Sequence, residues 1–234
     1  MKIICKTTLL PAEPAFVGTT VGIRVPEDHL TWGYRTALPV GDSYTVDWGD
    51  GTVETIAATS GVRHNYAEPG DYTVRFADEL VALGLSNATG ELNKYFAPMI
   101  RTVSSNAAAL TTLVMQCFRN CINVESVDLR DSGLTYLETG AFYGCLWLTD
   151  LSFLPPGITG LASFVFEGCT TLIDATLPSV DKLDWSAGQS PAFSNCTGLR
   201  EIRFSRANES AITSSAAYRA DPTLGAANAT VKFV

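Results

Sequence analysis

From residue 107 to residue 204 the chain repeats one pattern four times, and this periodicity restricts the fold more than any other feature. The units are Leu110-x-x-Leu113-x-x-x-Cys117-Phe118-x-x-Cys121, Leu134-x-x-Leu137-x-x-x-Ala141-Phe142-x-x-Cys145, Ile158-x-x-Leu161-x-x-x-Val165-Phe166-x-x-Cys169, and Val180-x-x-Leu183, an insertion, then Ala192-Phe193-x-x-Cys196. Each continues alike, as Val124-x-x-Val127-x-Leu129, Leu148-x-x-Leu151-x-Phe153, Leu172-x-x-Ala175-x-Leu177 and Leu199-x-x-Ile202-x-Phe204. The phenylalanines are spaced by 24, 24 and 27 residues. Self-similarity at such a period means a stack of short units, because one unit cannot bury its own apolar side. Stacking predicts continuous columns of Leu, Phe and Cys. The L-x-x-L-x-L segments should supply short strands that pile into a parallel sheet about 4.8 Å apart.

Both ends of such a stack need covers. Residues 79–106 are expected to form an N-terminal cap or degenerate repeat, with Ile100 and Val103 in strand positions. At the other end, residues 205–234 read as a C-terminal cap. Asn208 to Tyr218 is predicted as a short helix with Asn208 at its N-cap, and Val231–Val234 as a last strand. The insertion from Asp184 to Pro191 should bulge from the last unit. The six cysteines are Cys5, Cys117, Cys121, Cys145, Cys169 and Cys196. Cys121, Cys145, Cys169 and Cys196 recur at one position of the unit, and like positions form a ladder rather than pairs. Free, buried thiols acting as small hydrophobes are therefore expected.

Residues 1–78 have a different rhythm. Val21–Val25, Tyr44–Trp48 and Tyr72–Phe76 place apolar residues two apart, as strands do. Gly49-Asp50-Gly51 and Glu68-Pro69-Gly70-Asp71 supply turns between them. No helical period of useful length occurs, so a small antiparallel sandwich fits this half. The boundary between the two rhythms falls at 78/79.

Both halves resemble known families. Val46-Asp47-Trp48-Gly49-Asp50-Gly51-Thr52, with His64-Asn65-Tyr66 and Pro69-Gly70-Asp71-Tyr72-Thr73-Val74 downstream, resembles the polycystic-kidney-disease (PKD) domain. That resemblance implies an immunoglobulin-like β-sandwich serving as a spacer or binding module on extracellular proteins. Asp47 and Asp50 read either as turn formers or as calcium ligands. The repeat is similar to the BspA-type leucine-rich repeat, with its aFxgCxxLxxIxL unit, and Ala175 is a small residue in the strand column of that unit. The combined expectation is a mainly β chain, a PKD-like sandwich (1–78) followed by a short leucine-rich-repeat solenoid (79–234).

With 16 Lys and Arg against 24 Asp and Glu, the net charge is −8 and no basic block occurs. Binding that tracks a nucleic-acid backbone needs clustered cations, so nucleic acid is not an expected partner. No apolar run approaches the roughly 20 residues that span a bilayer, so membrane insertion is not expected. The two histidines, His29 and His64, are not adjacent to any repeat cysteine, and no phosphate loop, HExxH or GxSxG occurs. The expectation is a non-catalytic protein with no cofactor and no metal.

The face between the buried strand positions is where recognition would lie, since a strand alternates its faces. One outward column is Ser126, Asp150, Asp174 and Glu201, and the next is Asp128, Ser152, Thr176 and Arg203. These columns read either as a solvated face or as a recognition strip for a protein or glycan. Under the second reading the ligand-binding candidates are Asp128, Asp150, Asp174, Glu201 and Arg203. Trp147 or Trp185 would then stand at the rim for sugar stacking or as a protein hot spot. What the resemblance implies is adhesion or recognition at a bacterial cell surface or outside the cell. Residues 1–11 do not read as a secretory leader, because Lys6 interrupts the apolar stretch. That favours a second reading, an accessory protein of a phage tail or fibre, present on the virion; a third reading is an accessory module of a carbohydrate-active enzyme.

Overall fold

A computed structural model describes residues 16–36, 43–57, 61–77, 79–86, 90, 92–186 and 188–234. Cys5 and the reading of residues 1–11 lie outside the described residues. The chain is mainly β, with few and short helices.

The N-terminal strands are β1 (Gly18–Val25), β2 (Thr31–Tyr34), β3 (Tyr44–Asp47), β4 (Val53–Ile56), β5 (Val62–Asn65) and β6 (Gly70–Ala77). All four partnerships among them are antiparallel: β1 with β6 along its full length, β6 with β3, β3 with β4, and β2 with β5 as a separate pair. Inward residues at alternate positions bring together Trp32, Tyr34, Tyr44, Trp48 and Phe76, all essentially inaccessible. The one polar pair among them is satisfied internally, Tyr34 Oη to Tyr44 Oη at 2.6 Å. The turn after β3 forms as its sequence suggests. Asp47 Oδ1 accepts from Gly49 N and Asp50 Oδ1 from Thr52 N, both at 2.9 Å. The remaining carboxylate oxygens face Arg75 at 3.3 Å and His64 Nε2 at 2.7 Å. Both aspartates are thus occupied by turn and side-chain partners inside the protein.

The next strands are β7 (Ala82–Leu83), β8 (Ile100–Ser105), β9 (Thr112–Leu113) and β10 (Ser126–Asp128). Here the expected boundary meets a different arrangement. β8, from the segment expected to cap the repeats, pairs antiparallel with β1 on one edge and parallel with β10 on the other. The result is one six-stranded sheet, β10-β8-β1-β6-β3-β4, shared by the two halves. Thr19 Oγ1 and Ser105 Oγ, buried at 2.8 Å, lock the seam. Buried apolar residues form a single cluster from Val21 to Ala226.

The later strands are β11 (Tyr136–Leu137), β12 (Gly160–Ala162), β13 (Asp174–Leu177), β14 (Lys182–Asp184), β15 (Glu201–Phe204) and β16 (Thr230–Phe233). They make two short parallel ladders in register one repeat apart. β13-β15-β16 align Asp174 with Glu201 and Glu201 with Thr230, so the expected last strand is one more rung. β11-β12-β14 align Leu137, Leu161 and Leu183. Between the ladders the phenylalanine rings stack. Phe118, Phe142, Phe166 and Phe193 lie at centroid separations of 4.9, 5.6 and 5.2 Å, within 15° of parallel. Each turn bonds to the next unit through the same backbone group: Phe118 N to Ala141 O, Phe142 N to Val165 O and Phe166 N to Ala192 O, each at 2.8 Å.

The cysteine ladder has a hydrogen-bond logic that the sequence does not show. Cys145, Cys169 and Cys196 Sγ donate to the carbonyl oxygens of Phe118, Phe142 and Phe166 in the preceding unit, at 3.3, 3.1 and 3.0 Å. All five described cysteines are free and buried. The residue before each ladder cysteine is left-handed: Asn120 (φ 57°), Gly144 (69°), Gly168 (74°) and Asn195 (60°). In the four units this position holds only Gly or Asn, the residues that adopt this region most readily.

At the C-terminal end the expected single helix is two, α1 (Glu209–Ser214) and α2 (Ala216–Ala220). Ser215 breaks them and caps the second by accepting from Tyr218 N at 3.1 Å. Asn208 stands at the N-cap of α1 without a capping bond. Its amide instead donates to Pro178 O and Val180 O, tying the helix to the repeats.

Candidate functional site

The face expected to present a continuous parallel sheet is interrupted at Asp150–Leu154. β10 pairs with β8 and β13 with β15, but no strand forms at Asp150–Leu154 to join β10 to β13 in one sheet. The cause is local. Asp150 Oδ1 accepts from Ser152 N at 2.8 Å, taking that N–H out of a ladder, and Leu154 N turns back to Leu151 O at 3.1 Å. Pro155 and Pro156 follow, and neither has an N–H to continue a rung. Leu129 N to Phe153 O, at 2.8 Å, still spans the gap, and Ile173 N to Thr149 O, at 3.0 Å, keeps Asp150 beside Asp174.

Where the rung bends away, a groove of about 660 Å³ opens. Asp131, Asp150 and Asp174 edge it, with the apolar side chains of Leu151, Leu154, Pro155, Pro156 and Pro178 as its walls. Arg130 also reaches it, but its guanidinium is held by Asp128 through two bonds of 2.9 and 2.7 Å. Those bonds from Arg130 keep the Asp128 carboxyl below the usual carboxylate range. The hydrogen bonds from Ser152 do the same for Asp150. Asp131 is exposed and accepts no hydrogen bond among the described residues. Nothing in its sequence context, Arg130-Asp131-Ser132-Gly133, distinguishes it from an ordinary turn, so sequence reasoning missed it.

The predicted columns survive only in part. Asp150, Asp174 and Glu201 do lie on successive rungs. Ser126 belongs instead to the β8–β10 side of the interruption. The carboxylates are not a uniform repelling strip. Glu201 is gripped by Lys232 and Arg203, and the same Arg203 lies 3.6 Å from Asp174. Lys232, with Arg203, holds the Glu201 carboxyl below its usual range. Among the described residues, the groove carboxylates without an ion-pair partner are therefore Asp131 and Asp150.

The two tryptophans expected at the rim are packed inward. Trp185 is 7% exposed. It follows β14, and two residues after inward Leu183 it faces the same way. Trp147 packs against Phe118 at 6.1 Å and Phe153 at 5.9 Å, with its Nε1 inside the protein. Tyr143 lies under the Arg119 guanidinium at 4.1 Å. The β11-β12-β14 ladder carries a polar group not foreseen: Tyr136 Oη donates to Asp184 Oδ2 at 3.0 Å, and Lys182 pairs with Asp184 at 2.9 Å. Tyr136 lies across Gly160, where a Cβ would come within 2.6 Å of its ring.

With this geometry in view, the comparison with known families is direct. A family model for the BspA-type leucine-rich-repeat region matches residues 100–220 in six copies. The chain belongs to the BspA-type leucine-rich-repeat family. The match begins at β8 and ends with α2, so the leucine-rich-repeat region extends beyond the four units legible between 107 and 204. No family match supports the PKD-like reading of the N-terminal half. No curated protein and no solved structure matches the chain. No helix among the described residues of this leucine-rich-repeat protein is long and apolar enough to cross a membrane.

Proposed function

We propose that this chain is a non-catalytic recognition protein acting at a cell surface or outside the cell. It binds a protein or glycan through the strand face of its leucine-rich repeats. In this reading residues 100–220 are a short solenoid, and the N-terminal strands are an immunoglobulin-like sandwich that holds it through the shared sheet. The observation that carries the proposal is the groove at Asp131, Asp150 and Asp174. It is a concave, partly apolar opening edged by fixed polar groups, the general form of a ligand site. Asp174 stands on a paired strand and Asp150 is held by hydrogen bonds from Ser152, so these two carboxylates need little ordering on binding. BspA-type repeats are commonly associated with surface adhesion and protein binding, which agrees with this assignment.

The test is a glycan array together with a panel of extracellular-matrix proteins, probed with the wild-type protein and two variants of equal charge change. Asp150→Asn/Asp174→Asn alters the strand face. Glu68→Gln/Glu79→Gln alters exposed positions of the N-terminal half and the segment after it. The first variant should lose at least tenfold in affinity for whichever ligand is found, about 1.4 kcal/mol, and the second should stay within twofold. The opposite pattern would make the N-terminal half the binder and the repeats its scaffold.

A further inference from the structure

We infer that the groove at the interrupted rung takes an extended peptide segment bearing lysine or arginine side chains, rather than a sugar. This rests on the reading of the strand face as a recognition surface and names its ligand class. Three features of the groove select the ligand. Its edge carries Asp131, Asp150 and Asp174; its lining cation, Arg130, is bound bidentately by Asp128, and Arg203 pairs with Asp174 at 3.6 Å, which leaves Asp131 and Asp150 without an ion-pair partner among the described residues. Its uncompensated charge is therefore negative and complements a cation. Its walls are aliphatic: Leu151 and Leu154 are nearly inaccessible, and the prolines present rigid rings beside them. A lysine or arginine side chain matches both features at once, because its methylene stem lies along apolar surface while its charged head stays near water and the carboxylates.

The third feature is negative. Sugar recognition by stacking needs an exposed aromatic face, and no aromatic ring among the described residues lines the groove. The two tryptophans that sequence reasoning placed at the rim pack inward. The volume of about 660 Å³ suits a few side chains of a peptide rather than a folded surface. In an extended segment alternate residues share one face, so basic residues two apart would meet the carboxylates of neighbouring rungs together.

The experiment uses the full chain and a fluorescent ten-residue peptide with lysine at alternate positions. Two counterparts carry norleucine or glutamate at the same positions. Norleucine keeps the aliphatic stem and removes the charge. By fluorescence polarisation at near-physiological salt, the lysine peptide should bind at least tenfold more tightly than either counterpart. Asp131→Asn/Asp174→Asn should weaken it at least tenfold, and Glu68→Gln/Glu79→Gln should leave it within twofold. A photoreactive lysine peptide on the wild-type protein should label residues 150–156 or 174–178, a readout that needs no variant to fold. Equal binding of the norleucine peptide, equal weakening by the Glu68/Glu79 control, or labelling elsewhere would each overturn the inference. If the array finds a sugar or matrix ligand that depends on Asp150 and Asp174 while the lysine peptide fails to bind, the ligand class is wrong and the strand-face reading stands. If neither is found at this face, both fall.

Discussion

Replacing Phe142 with alanine tests whether the ring column holds the whole molecule together. Phe142 is fully buried. Its ring stacks on Phe118 at 4.9 Å and Phe166 at 5.6 Å, and meets Phe153 edge-on at 5.4 Å. Truncating a buried phenylalanine costs about 3–5 kcal/mol, and the value rises when the surroundings do not collapse into the cavity. Here collapse is resisted. The rings on either side belong to residues pinned by their own inter-repeat backbone bonds, Phe118 N to Ala141 O and Phe166 N to Ala192 O. The upper part of the range is therefore expected, about 4–5 kcal/mol. For a chain of this size that lowers the melting temperature by about 8–20 °C. Because one sheet and one buried cluster join the two halves, they should melt together. Trp32 and Trp48 lie in the N-terminal half and Trp147 and Trp185 in the repeats. In a Trp147→Phe/Trp185→Phe background, tryptophan fluorescence reports the N-terminal half alone, and far-ultraviolet circular dichroism reports the whole chain. Both transitions should shift down by the same amount on adding Phe142→Ala. A fluorescence transition that stays in place while the dichroism transition falls would refute the shared-core argument and restore two independent domains. A loss under about 1 kcal/mol would refute the packing argument itself.

Three further outcomes are expected. Burial raises the thiol pKa values, to about 12 for Cys117 and Cys196 and well above the ordinary value for Cys121 and Cys145, so a thiol reagent at pH 8 should leave these four unlabelled in the native protein. Denaturation without reductant should release all four ladder thiols, and a bridge among them in a non-reducing peptide map would contradict the ladder. Gly168→Ala should cost about 1–2 kcal/mol, because φ at this position is 74°. Gly168→Asn should cost clearly less, as Asn120 and Asn195 occupy the equivalent position; equal losses in urea denaturation would show that the left-handed backbone is not what restricts it. Burial alone would raise the Asp50 carboxyl, but hydrogen bonds from His64 and Thr52 outweigh it and hold the folded value below 3.8. Its stabilisation is therefore fully present above about pH 4 and lost as pH falls through the folded value. The stability gap between wild type and Asp50→Asn should narrow between pH 5 and pH 2, and a constant gap over that range would remove Asp50 from the acid response.

Much of the architecture was legible because it depends on short-range pattern. The 24-residue recurrence of Leu, Phe and Cys states which side chains stack, and the rings and thiols do so. The turn at Gly49-Asp50-Gly51 follows from residues that bond their own backbone. The repeat count was underestimated because the units at both ends depart from the motif, while the family match reaches from 100 to 220. The rim tryptophans failed for a different reason. Their positions lie outside the repeating columns, and only the packed structure shows that Trp185 shares an inward face with Leu183. Trp147 likewise fills space beside Phe118 and Phe153.

The sequence by itself determined the stacked repeats, the unpaired ladder cysteines and the β character of the N-terminal half. Each of these is a consequence of periodicity or of local backbone chemistry, which a linear pattern carries in full. Tertiary structure alone decided that β8 joins the two halves into one sheet, because a strand does not name its neighbours in its own residues. It also decided where the groove lies. Asp150 and the following prolines each permit a turn anywhere in a chain. A turn leaves an opening between carboxylates only when the rungs on either side hold their places, and that depends on neighbours one repeat away in sequence.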